Sequence, residues 1–487
     1  MNTLHVKSWE WLQKTLIRNQ HTLYGKQYHF GDIATIEQYQ NTVPLVSYED
    51  IKPLIHRISM AESDVLFAGK ALAFEMTGGS SGGAKLIPYT HESFVDFQHA
   101  ILPWLHHTIS HYAIHPQNTY WAISPVNRSI QKTNGNIPIG VSDEHYLGMK
   151  SSHSLVPSWV ADLNSMKEWK IATLYWLITA EQLELISIWS PTFLVVLLEG
   201  ITLYADELAH LFLVGDILAK HELTANNSAY MRLQTYLKTQ NTHDLWPNLK
   251  LISLWMDGSS KLYAHQLQAM FPSVTFQPKG LIATEAVVTT LDEDETPLLS
   301  ENGFYEFIDA QNHMVLAEHL IIGKLYEVVI TTSGGLYRYR TFDVVQCTGY
   351  KHQRPILRFM GRKNATSDLV GEKLTEAFVA SILDEISGFA MLVPQHEYTP
   401  PYYQLIVDKK SEIYSHTFLE SIEEKLHVNP QYSYARTLNQ LAPLKIVAIE
   451  NPIGLYSQYK LSQGQNMGDI KIPALSSNIS WLPKEDA

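Results

Sequence analysis

The sequence has one cysteine and no long uninterrupted apolar run among its 487 residues. The single thiol, Cys347, excludes a disulfide within the chain and is typical of a reducing compartment. The N-terminal residues lack the continuous apolar core of a secretory signal. The most apolar stretch, 171–203, is interrupted by glutamates and a proline, so it lacks the roughly 18 clean apolar residues of a membrane span. We therefore expect a cytoplasmic protein without a membrane partner.

Positive charge is also scarce. The 36 Lys and Arg residues against 49 Asp and Glu residues give a formal net charge of −13. Because this sign opposes binding to a phosphate backbone, we expect no nucleic-acid partner. A hydrophobic content of 45% indicates a globular protein, and the length predicts two to four domains or subdomains. For the assembly we expect a monomer or a weak oligomer.

A glycine-rich loop follows a short apolar segment, Leu72 to Met76, and precedes a second one that ends at Pro88. Glycines allow positive φ angles and close approach of backbone N–H groups to a ligand, while hydroxyls and a lysine add phosphate-binding groups. A flexible Gly/Ser linker is the alternative, but apolar strands with a lysine at the exit favour a polyphosphate site. The candidate residues are Thr77, Gly78, Gly79, Ser80, Ser81, Gly83 and Lys85.

Two common phosphate motifs are excluded at this loop. A P-loop needs Gly-Lys followed by Ser or Thr, whereas Lys85 lies between Ala84 and Leu86. The dinucleotide motif G-x-G-x-x-G does not occur in any frame of the loop.

A βαβ unit is predicted between residues 250 and 285. A strand at 251–256 precedes a turn and a helix, and strands at 274–276 and 280–285 follow. Ligands of such units bind at the carboxyl ends of the strands, so we expect nucleotide contacts in both turns. The candidates are Asp257, Gly258 and Ser259 in the first turn, and Ala283, Thr284 and Glu285 in the second. Glu285 is either a magnesium ligand or a solvated loop acid.

A third motif reads Gly-Leu-Tyr-Arg-Tyr-Arg-Thr-Phe-Asp-Val-Val over residues 335–345. The alternation of aromatic residues and arginines predicts a strand with one buried face and one face toward a polar ligand. The carboxylate of Asp343 can accept two hydrogen bonds from a ribose diol. The alternative is a strand with paired surface charges.

The remaining chain is predicted to be α+β, with helices at 376–386 and 418–426 and strands at 403–407 and 444–449. A glycine-flanked tail, 464–473, presents Lys471. Upstream, Thr90 is predicted to cap a helix, and Trp9, Leu12, Leu16 and Ile17 predict a packing helix near the start of the chain.

Two other segments carry patterns that could have a function. His107, His111 and His115 recur at helical spacing, which permits a zinc site, although surface histidines are the more common explanation. Trp-Ser-Pro-Thr-Phe at 189–193 predicts a strand-to-helix junction that leads into a buried helix.

The glycine loop, the Glu285 turn and the Asp343 motif lie in the order seen in the adenylate-forming superfamily. Within it the chain resembles the Gretchen Hagen 3 family of acyl acid–amido synthetases, in the manner of a bacterial member. The departures are Thr77 and Gly78 in place of Ser-Ser, and Phe342 in place of a glycine. A Trp-Ser-Pro-Thr-Phe segment also occurs in that family.

The resemblance implies an α/β plus α+β fold. A large N-terminal domain (1–362), with stacked α/β sheets and a β-barrel subdomain, would bind ATP and the acyl acid. A small mobile C-terminal α+β domain (363–487) would follow. ATP and Mg²⁺ are the implied cofactors, with Glu285 on the metal, Asp343 on the ribose and Arg362 near the nucleotide in the hinge region. Lys373 and Lys471 are the implied catalytic lysines, although Lys471 could be a solvated loop lysine.

The implied function is adenylation of a small aromatic or apolar carboxylic acid and its conjugation to an amino acid. The walls of the acid pocket are expected from 94–115, 124–140 and the helix after Pro191. Two alternatives remain open: a ligase that passes its adenylate to coenzyme A or another thiol, and a non-catalytic protein that binds a nucleotide or small acid.

Overall fold

The computed structural model describes residues 3–77, 85–122, 131–140, 155–163, 165–363, 365–384, 386, 388–410, 416–465, 467–476 and 480–482. The chain divides into two compact units. The first unit comprises Met1–His111, Arg128–Ser151 and Lys279–Met360, and the second comprises Tyr112–Asn127, Ser152–Pro278 and Gly361–Ala487. The predicted boundary between residues 362 and 363, and the mobility of the segment after it, stay predictions.

The helices and strands alternate through much of the chain. The helices are α1 Thr3–Asn19, α2 Leu23–Gln27, α3 Ile36–Thr42, α4 Tyr48–Ser59, α5 His91–His111, α6 Met166–Thr179, α7 Pro191–Leu203, α8 Ala205–Val214, α9 Asn227–Thr239, α10 Ser260–Met270, α11 Glu376–Leu383, α12 His416–Leu426, α13 Pro430–Thr437 and α14 Pro452–Ser462. The strands are β1 Ala73–Thr77, β2 Lys85–Tyr89, β3 Thr119–Trp121, β4 Gln131–Lys132, β5 Pro138–Ile139, β6 Leu185–Ser187, β7 Asp216–Leu218, β8 His221–Leu223, β9 Leu251–Leu254, β10 Thr275–Pro278, β11 Thr289–Leu291, β12 Pro297–Leu299, β13 Phe304–Ile308, β14 Met314–Leu316, β15 Leu325–Thr331, β16 Tyr339–Lys351, β17 Arg354–Arg362, β18 Thr366–Ser367, β19 Leu374–Thr375, β20 Ala390–Gln395, β21 Tyr402–Asp408 and β22 Lys445–Ile449.

The first unit begins with helices that pack through one apolar face. Leu12 and Leu16 of α1 are buried, but Ile17 is 55% exposed, so its predicted place on the buried face is wrong. The predicted cap of α5 is confirmed, because the Ser93 N–H donates to Thr90 Oγ1 at 3.2 Å. Strands β1 and β2 pair antiparallel from Ala73 with Tyr89 to Thr77 with Lys85.

A seven-stranded sheet forms the other half of the first unit, in the order β11-β12-β17-β16-β15-β13-β14. It lies in the part of the chain where the β-barrel subdomain was expected. Its core includes Phe307, Val328 and Ile330, which are fully buried. Strand β16 starts at Tyr339, so the predicted strand is too long at its start, and residues 335–338 form the turn that leads into it.

The two arginines of this motif bind buried carboxylates of neighbouring strands. The Arg338 guanidinium donates to Glu306 at 3.0 and 3.1 Å, and Arg340 donates to Glu327 at 2.7 and 2.9 Å. Each carboxylate residue is at most 2% exposed. The arginine charges are therefore paired, but with buried carboxylates and not at the surface, so the alternative is only partly met, and the role of Asp343 stays a prediction.

The second unit is built on a parallel sheet in the order β10-β9-β6-β3. Parallel strands need crossovers, and α10 supplies the one between β9 and β10, which confirms the predicted βαβ unit. Pro191 begins α7 as predicted, and Leu194 to Leu198 are buried. The predicted strand at 280–285 is wrong, because these residues form an irregular turn with only a bridge between Ile282 and Val287.

The C-terminal part of the second unit is α+β, as predicted. Strand β21 lies between β20, which is antiparallel to it, and β22, which is parallel. Helices α11 and α12 and strands β21 and β22 overlap the predicted segments, whereas β20, α13 and α14 were not predicted. No helix among the described residues combines the length and the apolar character that crossing a bilayer demands.

Replacing Glu306 with alanine should destabilise the protein strongly. Breaking a buried ion pair leaves the Arg338 charge without its carboxylate, so we expect the free energy of unfolding to fall by about 3–5 kcal/mol. Urea denaturation at neutral pH measures this change. The matched control is Glu49→Ala, which removes an exposed pair with Lys52 and should cost less than about 1 kcal/mol. Equal effects of the two variants would contradict the role assigned to the buried pair.

Candidate active site

The β1–β2 hairpin fixes the two described ends of the glycine loop. Thr77 and Lys85 are paired in register across the closed end of the hairpin. The Lys85 ammonium lies 5.5 Å from the centre of the Tyr48 ring, and the Leu86 N–H donates to Tyr48 Oη at 2.9 Å. Tyr48 of α4 therefore fixes the strand that leaves the loop. The other predicted loop residues lie outside the described residues: Gly78, Gly79, Ser80, Ser81 and Gly83.

A cleft of the first unit brings the Glu285 turn together with the end of β2. The Ala283 N–H donates to the Ala286 carbonyl at 2.9 Å, which makes the turn tight, and Tyr89 Oη donates to the Thr284 carbonyl at 2.6 Å. The half-buried Glu285 lies at the centre of this turn. Residues of β2, α5 and two loops line the cleft, among them Pro88, Tyr89, Asp96, Ala283, Thr284, Glu285, Asn302, Thr332, Ser333 and Gly334.

Asp96 of α5 adds a second carboxylate to this cleft. Burial raises the pKa of the Asp96 carboxyl, and hydrogen bonds from Ser333 and Trp11 offset part of that rise. A magnesium ion on ATP takes one or two protein carboxylates and keeps phosphate and water ligands. A cleft with Glu285 and Asp96 therefore fits a metal of this kind.

Two glycines precede β16, and the first of them, Gly334, lines the cleft. A Cβ atom on Gly334 would lie 2.9 Å from Ser93 Oγ and 3.2 Å from the Pro88 carbonyl oxygen. Gly335 has a φ of +87°, and a Cβ there would lie 2.7 Å from Leu66 Cβ. The lack of a side chain therefore lets Gly334 approach β2 and α5 closely, and lets Gly335 approach the segment before β1 at Leu66 and Phe67.

Asp343 lies in a bulge of β16. Val329 pairs with Arg340, and Glu327 pairs with Val344, so one residue of β15 faces three of β16. The Asp343 N–H donates to Thr341 Oγ1 at 3.1 Å. Asp343 is 8% exposed, and it is not among the residues that line the Glu285 cleft. A bulge redirects side chains at a strand, which gives this aspartate an orientation that a regular strand would not.

Phe342, the residue at the tip of this bulge, has a φ of +63°. This left-handed conformation is unfavourable for a bulky residue and easy for the glycine that the resemblance expects there. The Arg340 guanidinium carbon lies 4.8 Å from the centre of the Phe342 ring, so the ring stacks on an arginine that Glu327 already holds.

In the second unit, the predicted nucleotide contacts Asp257, Gly258 and Ser259 directly precede α10. The Asp257 carbonyl accepts the Ser260 N–H, and the Gly258 carbonyl accepts the Lys261 N–H. Gly258 has a φ of +59°. Gly258 and Ser259 line a small cavity with residues from three C-terminal segments: Ala380, Leu383, Asp384, Ala390, Ile472 and Ala474.

Two of the predicted cations gather around Glu376, the first residue of α11. Burial raises the pKa of the Glu376 carboxyl, while a hydrogen bond from the Ala474 N–H and the charges of Lys471 and Arg362 offset part of the rise. The exposed Lys471 places its ammonium 3.8 Å from the centre of the Trp255 ring, two residues before Asp257. Arg362 and Lys471 therefore both act electrostatically on Glu376, and Lys471 lies beside Trp255, between β9 and the segment at residues 257–259.

Lys373 is exposed and has a φ of +47°. The preceding Glu372, 1% exposed, accepts the Leu369 and Val370 N–H groups at 2.7 and 2.8 Å and the Tyr403 hydroxyl. The turn at residues 369–373, in the predicted hinge region, is therefore stabilised by the buried Glu372 carboxylate. This contact fixes the backbone next to Lys373 and so the direction of the Lys373 side chain.

The histidines do not form a metal site among the described residues. No group of three His, Cys, Asp or Glu side chains there has the arrangement of a metal site. His107 and His111 have ring centres 5.4 Å apart, and His115 binds Glu184 at 3.0 Å.

Several site residues were missed by the sequence analysis. Tyr48, Asp96 and Tyr89 belong to this group, and nothing in their local pattern distinguishes them from packing or surface residues. Ser333 and Gly334 directly precede the Gly-Leu-Tyr-Arg motif, so the motif's flank was a signal. The other missed residues are Trp255, which lies two residues before Asp257, and Glu376, which lies three residues after Lys373.

The fold matches that of adenylate-forming enzymes. A solved structure named "GH3.15 acyl acid amido synthetase" superposes with a TM-score of 0.85 over 99% of this chain and 93% of that chain, at 19% sequence identity. A 2-hydroxyisobutyryl-CoA ligase in the postadenylation state superposes with a TM-score of 0.58 over 97% of this chain and 89% of that one, at 12% identity.

The chain belongs to the GH3 (Gretchen Hagen 3) family. The family models match its N-terminal domain at residues 4–276, its central domain at 296–362 and its C-terminal domain at 370–479. An Arabidopsis thaliana indole-3-acetic acid-amido synthetase, GH3.2, is 22% identical over 77% of both chains. A 4-substituted benzoates-glutamate ligase of the same plant, GH3.12, is 24% identical over 70% of this chain and 66% of its own length.

Replacing Phe342 with glycine and with alanine should separate backbone strain from side-chain packing. Both variants lose the ring, but only alanine retains the cost of a left-handed conformation. We expect the glycine variant to be the more stable by about 1 kcal/mol. Thermal or urea unfolding measures the difference. Val344→Gly and Val344→Ala, two residues along the same strand, are the control pair, and there alanine should be at least as stable as glycine. The same order at both positions would contradict the assigned strain.

Proposed function

We propose that this protein is an ATP-dependent acyl acid–amido synthetase. It converts a small carboxylic acid to an acyl-adenylate and joins the acyl group to an amino acid amine, releasing pyrophosphate and AMP. The observation that carries the proposal is the match to all three GH3 domains in a chain whose cleft holds Glu285 beside the strand that leaves the glycine loop.

In the first half-reaction, a carboxylate oxygen of the acid attacks the α-phosphorus of ATP, and pyrophosphate leaves. Thr77, Lys85 and the loop between them would hold the phosphates, and Asp343 would accept the ribose hydroxyls. Bound Mg²⁺ would be held by Glu285 and supply charge neutralisation at the phosphates. Catalysis would then depend mainly on positioning and on offsetting negative charge.

In the second half-reaction, the amine nitrogen attacks the acyl carbonyl carbon, the bond to AMP breaks, and the amine loses a proton. Asp257, Gly258 and Ser259 of the second unit and Ala283 and Thr284 of the first unit are each proposed as nucleotide contacts. Arg362, Lys373 and Lys471 are the proposed cations of the site, and Lys471 would act during adenylation.

The acid is proposed to be apolar or aromatic. The names of the relatives given above include indole-3-acetic acid and 4-substituted benzoates. Another GH3.15 structure is named as a complex with 2,4-DB. It superposes with a TM-score of 0.84 over 99% of this chain and 93% of that chain, at 18% identity. The described helix residues proposed as pocket walls include Phe94, Phe97 and Ile101 of α5.

The function is tested by pyrophosphate release from Mg-ATP with indolyl, benzoic and aryloxyalkanoic acids, each with and without pooled amino acids. We expect acid-dependent release that becomes multiple-turnover only with amino acids. Release stimulated by coenzyme A instead would identify a thioester ligase. ATP binding without release for any acid would contradict the proposal and favour a binding protein.

Asp343→Asn should weaken ATP use without unfolding the protein. Losing a charged acceptor of the ribose hydroxyls costs about 1.5–3 kcal/mol, so we expect the KM for ATP to rise by roughly 10- to 100-fold. Steady-state pyrophosphate release measures this, with Glu222→Gln, an exposed carboxylate of β8, as the control. An unchanged KM for ATP would remove Asp343 from the nucleotide site.

Glu285→Gln should change the metal requirement instead. An amide is a weaker ligand for Mg²⁺ than a carboxylate, so the Mg²⁺ concentration for half-maximal release should rise several-fold. The assay is a Mg²⁺ titration at saturating ATP, with Glu222→Gln again as the control. A wild-type titration curve would assign the metal to other groups, Asp96 first among them.

A further inference from the structure

The Trp-Ser-Pro-Thr-Phe segment at the start of α7 contacts the C-terminal tail. The Ser190 N–H donates to the Gly468 carbonyl at 3.3 Å, and Thr192 Oγ1 donates to the Ile470 carbonyl at 3.3 Å. The two donors and the two acceptors all belong to the second unit. A segment that resembled the family in sequence alone therefore has a definite structural partner, the residues directly before Lys471.

The two hydroxyls of this segment form a directed chain. Ser190 Oγ and Thr192 Oγ1 are 2.7 Å apart, and Thr192 has one proton, which it donates to Ile470. Ser190 is therefore the donor to Thr192. Both residues are buried, at 1% and 3% exposure, so their hydroxyls are shielded from water. Buried hydroxyls that satisfy one another in this way fix a single geometry.

Apolar side chains of the tail anchor the same contact. Met467, Ile470 and Ile472 are at most 3% exposed and belong to the core of the second unit, whereas Asp469 and Lys471 are exposed. The alternation turns the Lys471 side chain away from the core. The carbonyls of residues 468 and 470 are thereby presented to the start of α7.

The tail is attached again just after Lys471. The Leu392 N–H of β20 donates to the Ala474 carbonyl at 2.8 Å, the Ser476 N–H donates back to Leu392 at 3.0 Å, and the Ala474 N–H binds the Glu376 carboxylate. Lys471 therefore lies between two backbone attachments. Its ammonium faces Trp255, whose ring centre lies 5.5 Å from that of Trp189.

We propose that Ser190 and Thr192 are positioning residues that latch residues 468–470 to the start of α7 and so hold Lys471 at the nucleotide site during adenylation. The inference rests on the proposed role of Lys471 in that half-reaction. Thr192 and Ser190 touch neither substrate in this role, and their effect passes through the tail backbone. The latch combines these hydrogen bonds with the burial of Met467, Ile470 and Ile472, so removing one hydroxyl should weaken the attachment without unfolding the α7 core.

The test compares Thr192→Val, which keeps the shape but removes the hydroxyl, with Thr192→Ser, which keeps the hydroxyl. The first measurement is the rate of tryptic cleavage after Lys471 in the full chain without ligands, followed by mass spectrometry. Cleavage after Lys220, in the exposed turn between β7 and β8, is the internal reference. We expect roughly tenfold faster cleavage after Lys471 in the valine variant, a rate within about twofold of wild type in the serine variant, and no change at Lys220.

The second measurement is ATP–pyrophosphate exchange, with indole-3-acetic acid and a 4-substituted benzoate as probe acids. We expect a roughly tenfold lower kcat in Thr192→Val, an unchanged KM for ATP, and recovery in Thr192→Ser. Conversion of a chemically synthesised acyl-adenylate to the amide should stay at the wild-type rate, because that step does not use the latched lysine. A general loss of stability would slow both half-reactions together.

The outcomes separate the latch from the proposed function. Wild-type cleavage after Lys471 in Thr192→Val would overturn the latch. Faster cleavage with unchanged exchange would show a tail attachment that does not position the lysine for adenylation, and this also overturns the inference. If the wild-type protein catalyses no exchange with any acid, the proposed function fails, and the cleavage rates alone decide whether the latch exists.

Discussion

The buried ion pair between Arg338 and Glu306 sets the frame on which the first unit depends. The same guanidinium donates to the carbonyls of Gln40 and Val43, and the backbone next to it bridges to Val46. A charge in the interior is tolerated only with a full set of partners, so this arginine connects the loop after α3 to the seven-stranded sheet in one geometry. The β16 bulge that contains Asp343, the proposed ribose-binding residue, begins only a few residues after Arg338. The position of the bulge therefore depends on the Arg338–Glu306 ion pair.

Backbone strain occurs beside the residues proposed for function. Arg338, Phe342 and Lys373 all have positive φ angles although none is glycine. Such conformations persist only where the surroundings determine them. Arg338 is held by its ion pair and Lys373 by the carboxylate of the preceding Glu372, which binds two backbone N–H groups. Both strained backbone conformations therefore depend on buried carboxylates, those of Glu306 and Glu372. The hydrogen bonds of these carboxylates help to fix the backbone beside the proposed site residues.

Local sequence patterns predicted the local parts of the structure. The α5 cap, the βαβ unit and the start of α7 each depend on neighbouring residues, and each was predicted. Other features could not be predicted, because partners distant in sequence decide them. The arginine alternation could not reveal that the polar face of β16 meets buried carboxylates. Tyr89 and Thr284 are 195 residues apart, and Thr192 and Ile470 are 278 apart, so neither contact leaves a trace in either segment alone.

The position of Lys471 illustrates why the backbone contacts matter more than the visible side-chain contact. A cation on an exposed aromatic ring is stabilised by about 0.5–1 kcal/mol, whereas fixing a lysine side chain costs about 2 kcal/mol of rotamer entropy. Trp255 alone therefore cannot hold the ammonium in place. The tail is attached to α7 before Lys471 and to β20 after it, which restricts the position of the Lys471 Cα. The ammonium group can then reach fewer positions. The hydroxyls of α7 and the edge of β20 therefore restrict the position of the Lys471 backbone, and the contact with the Trp255 ring selects among the side-chain positions that remain.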